Sequence, residues 1–118
     1  MSDQISHPEL VRKLFKDPRT IHLSPEQVNL LHAAVGLAGE AGEVLDRVKK
    51  LAFNGNDAYF RQQMINELGD LEFYAEALRQ SLGVTRQQTL DANTAKLSTR
   101  YQGLEYSDEA AAARADEA

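Results

Sequence analysis

The strongest constraint on this chain is an absence. Proline occurs at Pro8, Pro18 and Pro25 and nowhere from residue 26 onward. Along that stretch apolar residues step by alternating threes and fours. Leu30, Ala34, Leu37, Ala41, Val44, Val48 and Leu51 form one row, and Met64, Leu68, Leu71, Ala75, Leu78 and Leu82 form a second. Such steps put side chains on one stripe of a helix, and two stripes of this kind make the seam between packed helices. Valine and isoleucine are sparse and no hairpin dipeptide separates alternating runs, so strands have no support. The expected fold is all-α: an antiparallel helical hairpin plus flanking helices.

Local punctuation sets the boundaries. A short first helix is expected over Pro8–Phe15, opened by its proline. Ser24-Pro25-Glu26-Gln27 places serine at the N-cap, proline at N1 and glutamine at N3, in capping-box spacing. The second helix then runs to about Phe53, with Asn54-Gly55-Asn56 as the turn. Asp57 is expected to cap a third helix ending near Leu82, with Gly83 as its C′ residue. Thr85 and Gln88 repeat the capping-box pair and open a fourth helix reaching about Tyr101. After Gly103 the sequence becomes acidic and alanine-rich. It lacks an apolar stripe for docking, so residues 1–103 read as one domain and 104–118 as a mobile tail.

Composition narrows the class. The length of 118 residues suits a single domain, and a hydrophobic fraction of 42% suffices for a core. Cysteine is absent, which removes disulfides and thiolate metal sites and agrees with a cytoplasmic location. No signal-peptide pattern opens the chain and no run approaches a membrane span, so no membrane partner is expected. A net charge of −5 argues against a nucleic-acid polymer, which calls for a basic footprint.

Two acidic pairs stand out: Glu40 with Glu43, and Glu67 with Asp70. Each is acid-x-x-acid and shares one helix face. Taken singly, either pair is an ordinary solvated surface feature, and Glu43 could simply meet Arg47 one turn on. Their placement says more. At about 100° per residue, Glu40 and Glu67 lie roughly 70–80° from their stripe centres on the same rotational side. In an antiparallel hairpin these flanks face the same way, and both pairs lie at nearly equal distances from the turn. Four carboxylates are therefore expected to converge beside the seam. Gathered acids repel one another unless cations neutralise them, and hard oxygen ligands suit Mg²⁺, with Mn²⁺ as a substitute. No Glu-x-x-His occurs, which argues against a di-iron carboxylate site.

Gly36, Gly39 and Gly42 sit in the first of these helices, in the run GLAGEAGEV. The spacing matches neither a dinucleotide fingerprint nor a P-loop. Three glycines three apart line one side of a helix and permit close backbone approach. Each costs about 0.5–1 kcal/mol against alanine, so a neighbouring helix or ligand is expected to offset that.

GLAGEAGEVLDRVKK, NELGDLEFY and then NTAKLSTRY resemble the paired ExxE…ExxD signature of the MazG-like, all-α nucleoside triphosphate pyrophosphohydrolases, over about His32 to Tyr101. The resemblance implies Mg²⁺-dependent cleavage of (d)NTPs between the α- and β-phosphates, giving monophosphate and pyrophosphate. It implies Glu40, Glu43, Glu67 and Asp70 as metal ligands, with Asn93 and Lys96 reaching phosphates or sugar, Tyr74 contacting sugar or base, and His32 lining the base pocket. Many members carry another glutamate directly before the first motif acid, where this chain has Gly39.

On this reading Glu43 is the candidate acceptor of the attacking water's proton, and Lys49, Lys50 and Lys96 are candidates to neutralise leaving pyrophosphate. Asp46 could instead pair with Lys50. Two long helices and a shorter third bury little surface alone, so a homodimer or homotetramer with a four-helix-bundle-like core is expected. The alternative from another class is a noncatalytic helical module that binds a nucleotide or a protein through the same hairpin.

Overall fold

The computed structural model describes residues 4–55 and 58–117. Among these the chain is all-helical. Helix α1 spans His7–Leu14, α2 Pro25–Asn54, α3 Phe60–Leu82, α4 Arg86–Arg100 and α5 Asp108–Ala113, with 3₁₀ turns at Pro18–Thr20, Gln102–Leu104 and Ala115–Glu117. The expected roles of Asn56 and Asp57 lie outside the described residues. Helix α1 starts one residue earlier than expected because Ser6 supplies the N-cap.

Both capping boxes form. The Gln27 amide donates to Ser24 Oγ at 3.1 Å, while the Ser24 amide donates to Gln27 Oε1 at 2.8 Å. Thr85 and Gln88 repeat the exchange at 3.1 and 2.7 Å. These reciprocal bonds satisfy donors that a helix start leaves orphaned, which is why short-range sequence located both starts. Helix α3 stops at Gly83, whose φ of 70° is the left-handed value glycine adopts without a Cβ penalty.

Helices α2 and α3 pack as the expected hairpin, but the seam is rotated. Ala34, Ala41, Val48, Leu68 and Leu82 of the two apolar rows are exposed. The partly or fully buried residues include Leu30, Ala33, Gly36, Leu37, Glu40, Val44, Arg47 and Leu51 on α2, and Met64, Glu67, Leu71, Tyr74, Ala75 and Leu78 on α3. The seam thus shifts toward the acidic flank of both helices. Gly36 gives one physical reason. A Cβ there would lie 2.3 Å from the Tyr74 ring, so only glycine leaves room for the tyrosine against the α2 backbone.

The rotation leaves apolar surface outside. Among the described residues Ala33 is the one buried apolar side chain, while Leu31, Val35, Leu45, Ile65, Leu68 and Phe73 are all more than half exposed. The radius of gyration is 20.6 Å, against about 13–14 Å for a compact domain of this length. Helix α4 takes its main packing from the segments that follow it, not from the hairpin. The region expected to be a mobile tail contains α5, and Arg100 and Asp116 join it to α4 through an ion pair. A charged contact does here what the missing apolar stripe could not.

Candidate functional site

The seam rotation determines which acids meet. Oxygens of Glu40, Glu67 and Asp70 lie within 4.8 Å of one another, the one group of its kind found among the described residues. Glu67 is buried, Glu40 is half-buried and Asp70 is exposed. The expected fourfold convergence is therefore threefold. Glu43 is exposed and outside the group, although its charge still acts on Glu40. Three residues along a helix is about 300°, so turning Glu40 into the seam carries Glu43 outward.

Arg47 supplies the counter-charge. Its Nε donates to Glu67 Oε1 at 2.9 Å, reaching across the hairpin rather than back to Glu43 as its simplest helical pairing would have it. Sequence reasoning missed this partner. The signal was present, because Arg47 lies seven residues after Glu40 and so on the same face.

The cluster's electrostatics follow from its crowding. The Glu40 carboxyl is held above the ordinary glutamate range, first by burial, then by its hydrogen bond with Glu67, then by the charges of Asp70, Glu67 and Glu43. The folded chain consequently binds a proton at Glu40 more tightly than the unfolded chain does. This penalty is absent below the ordinary glutamate value and grows as pH rises through the raised one. A divalent cation would relieve it. Three oxygen donors with one guanidinium leave a local charge of −2, so the residues fit a hard divalent ion.

His32 and Tyr74 come together further up the hairpin, with ring centroids 6.3 Å apart. Phe73 meets Tyr74 edge-on at 5.2 Å. With Asn29, Ala33, Ala77 and Gln80 they line an open cavity of about 370 Å³. Toward the turn, Arg47, Lys50, Tyr59, Phe60 and Gln63 border another of about 510 Å³. Lys50 pairs with Asp46 at 2.8 Å, the alternative already visible in the sequence. Asn93 and Lys96 are exposed on α4.

The sequence matches the MazG nucleotide pyrophosphohydrolase domain over residues 29–104, more than half of the chain. The chain belongs to the MazG nucleotide pyrophosphohydrolase family. The matched region takes in the hairpin apart from the first turn of α2, both acidic pairs and α4. Membership implies a hydrolase acting on nucleotide phosphoanhydride bonds, in a family that is generally dependent on divalent metal. None of the curated proteins and none of the solved structures matches significantly. Among the described residues no helix is long and apolar enough to cross a membrane.

Proposed function

We propose that this MazG-family chain is a Mg²⁺-dependent nucleoside triphosphate pyrophosphohydrolase, converting (d)NTP to (d)NMP and pyrophosphate in the cytoplasm. The observation that carries this reading is the meeting of Glu40, Glu67 and Asp70 from two helices at one level of the hairpin. These three would hold Mg²⁺ or Mn²⁺, with Glu43 as the further ligand at the rim. The ion, when bound, supplies Lewis-acid charge for the polyphosphate.

The chain's own groups have separate work. Glu43, exposed beside the cluster, accepts the proton of the attacking water. The water oxygen bonds to the α-phosphorus, the bond from that phosphorus to the αβ-bridging oxygen breaks, and pyrophosphate carries the electron pair away. Arg47 holds Glu67 in place. Tyr74 and His32 offer aromatic faces to the sugar and base. Lys50, Lys96 and Asn93 contact the phosphates, Lys50 by exchanging Asp46 for the leaving group.

We further propose a homodimer or homotetramer. The exposed apolar faces of α2 and α3 and the extended shape support it, because a second copy of the hairpin would cover those faces as a four-helix bundle. Residues 1–103 would form the working domain.

The test is release of pyrophosphate from a panel of nucleoside triphosphates with Mg²⁺. Glu67→Gln and Asp70→Asn should each lower kcat/KM by roughly a hundredfold or more, an effect of ~2.7 kcal/mol at the barrier. Full activity in both variants would remove the carboxylate site. A panel with no turnover, but with one nucleotide raising the melting temperature, would favour the noncatalytic binding module.

A further inference from the structure

Helix α4 carries a second charged feature, formed with residues beyond the family match. Arg100 Nε donates to Asp116 Oδ1 at 2.6 Å and its Nη2 donates to Oδ2 at 3.0 Å. The fork is bidentate and spans 16 residues of sequence. It is also sheltered, with side-chain exposures of 15% for Arg100 and 5% for Asp116. Shelter of this kind reduces the screening that weakens fully exposed pairs.

The position of Arg100 matters as much as its partner. Asn93, Lys96 and Arg100 follow one another by three and four residues, so they share one face of α4. Lys96 and Thr99 border the hollow that Asp116 and Glu117 close from the other side. A guanidinium fork matches carboxylate and phosphate oxygens alike. Asp116 thus occupies, on the very face that bears Asn93 and Lys96, a place an oxyanion of another molecule could take.

The route by which Asp116 arrives there is strained. Helix α5 is six residues long and ends at Arg114, whose φ of 48° lies in the left-handed region that disfavours side chains. That turn redirects the chain so that residues 115–117 return to α4. A short helix, an unfavourable backbone turn and one ion pair make an attachment that a competing anion can displace.

We propose that the acidic segment after Gly103 is an internal competitor, in which Asp116 fills an oxyanion site of Arg100 and Lys96 on α4 until a polyphosphate displaces it. The proposal rests on the reading of α4 as the phosphate-contacting helix. It adds that access to α4 is regulated within the chain. A substrate polyphosphate both binds α4 and releases the segment, so the apparent affinity is the intrinsic one multiplied by the fraction of molecules in which the segment is undocked.

The experiment uses the full chain and inorganic tripolyphosphate with a chelator present, which leaves the carboxylate cluster out of the binding. Calorimetry gives the affinity, and amide hydrogen exchange follows residues 107–117. Asp116→Asn should tighten tripolyphosphate binding roughly three- to tenfold, as when a third to a tenth of the molecules are open. In the unaltered chain, tripolyphosphate should speed exchange at the Ala111 and Arg114 amides, which α5 now engages. Arg100→Gln should remove both effects. Equal affinity in the unaltered chain and Asp116→Asn, or unchanged exchange at saturating tripolyphosphate, overturns the proposal. A chain that hydrolyses no nucleotide while tripolyphosphate still releases the segment breaks the hydrolase reading and keeps this one. Hydrolysis with a segment indifferent to tripolyphosphate does the reverse.

Discussion

Two levels of the same hairpin resolve close approach in opposite ways. At the upper level Gly36 and Ala33 leave the α2 backbone bare enough for Tyr74 to lie against it, and contact is made within the chain. One turn lower, Glu40, Glu67 and Asp70 crowd together, with Arg47 as the cation placed among them. The upper level is closed by shape. The lower is closed by charge, and only in part, since Glu40 is still driven toward its protonated form. The contrast teaches that small residues and acids three apart are not interchangeable surface features. One set brings the helices together, and the resulting seam forces the other set to meet.

The comparison can be broken most sharply at the charged level. Arg47→Met keeps much of the side-chain volume but removes the donor to Glu67. It should destabilise the metal-free protein by about 1–3 kcal/mol, the usual range for a buried charged group losing its hydrogen bond. Urea unfolding with a chelator measures this, and Mn²⁺ should restore most of the loss. A variant as stable as the unaltered chain would mean that Arg47 does not hold the cluster together.

At the shape level the expected effect is somewhat smaller. Gly36→Ala gains helix propensity but drives a Cβ into the Tyr74 ring, for a net loss of about 1–2 kcal/mol. Pairing it with Tyr74→Ala should recover part of that loss in a double-mutant cycle. Additive effects would dissolve the proposed seating of Tyr74.

The smallest effect should have the opposite sign. A Cβ at Gly39 meets nothing within 4 Å. Gly39→Ala should therefore stabilise the isolated hairpin by about 0.5–1 kcal/mol through backbone entropy alone. If melting instead falls, and falls with dilution, a second copy packs against that glycine.

Much of this was legible along the chain, for reasons that differ by element. The starts of α2 and α4 were readable because a capping box spans four residues and closes on itself. The stop of α3 was readable because Gly83 needs only its own left-handed backbone. The acidic flanks were readable as facing one way, since rotation along a helix is regular. Which acids entered the seam was not. The apolar rows placed the seam over Ala34 and Ala41, yet both are exposed while Glu40 is turned inward. Apolar periodicity reports every surface that wants covering, including those a single copy leaves open. The docking of residues 115–117 was hidden for a related reason, because an ion pair between Arg100 and Asp116 leaves no periodic trace.

What the sequence determined by itself was local and periodic: helical content, capped ends, a hairpin, two acidic pairs at matching height, and a family. Those depend on residues within a turn or two of each other. The tertiary structure alone decided the rotation of one helix against the other. It thereby decided that three carboxylates rather than four converge, that Arg47 faces Glu67, and that Asp116 rests on Arg100. Rotation is settled by the steric fit of side chains distant in sequence, here the space that Gly36 leaves for Tyr74, and no pattern along one helix contains it.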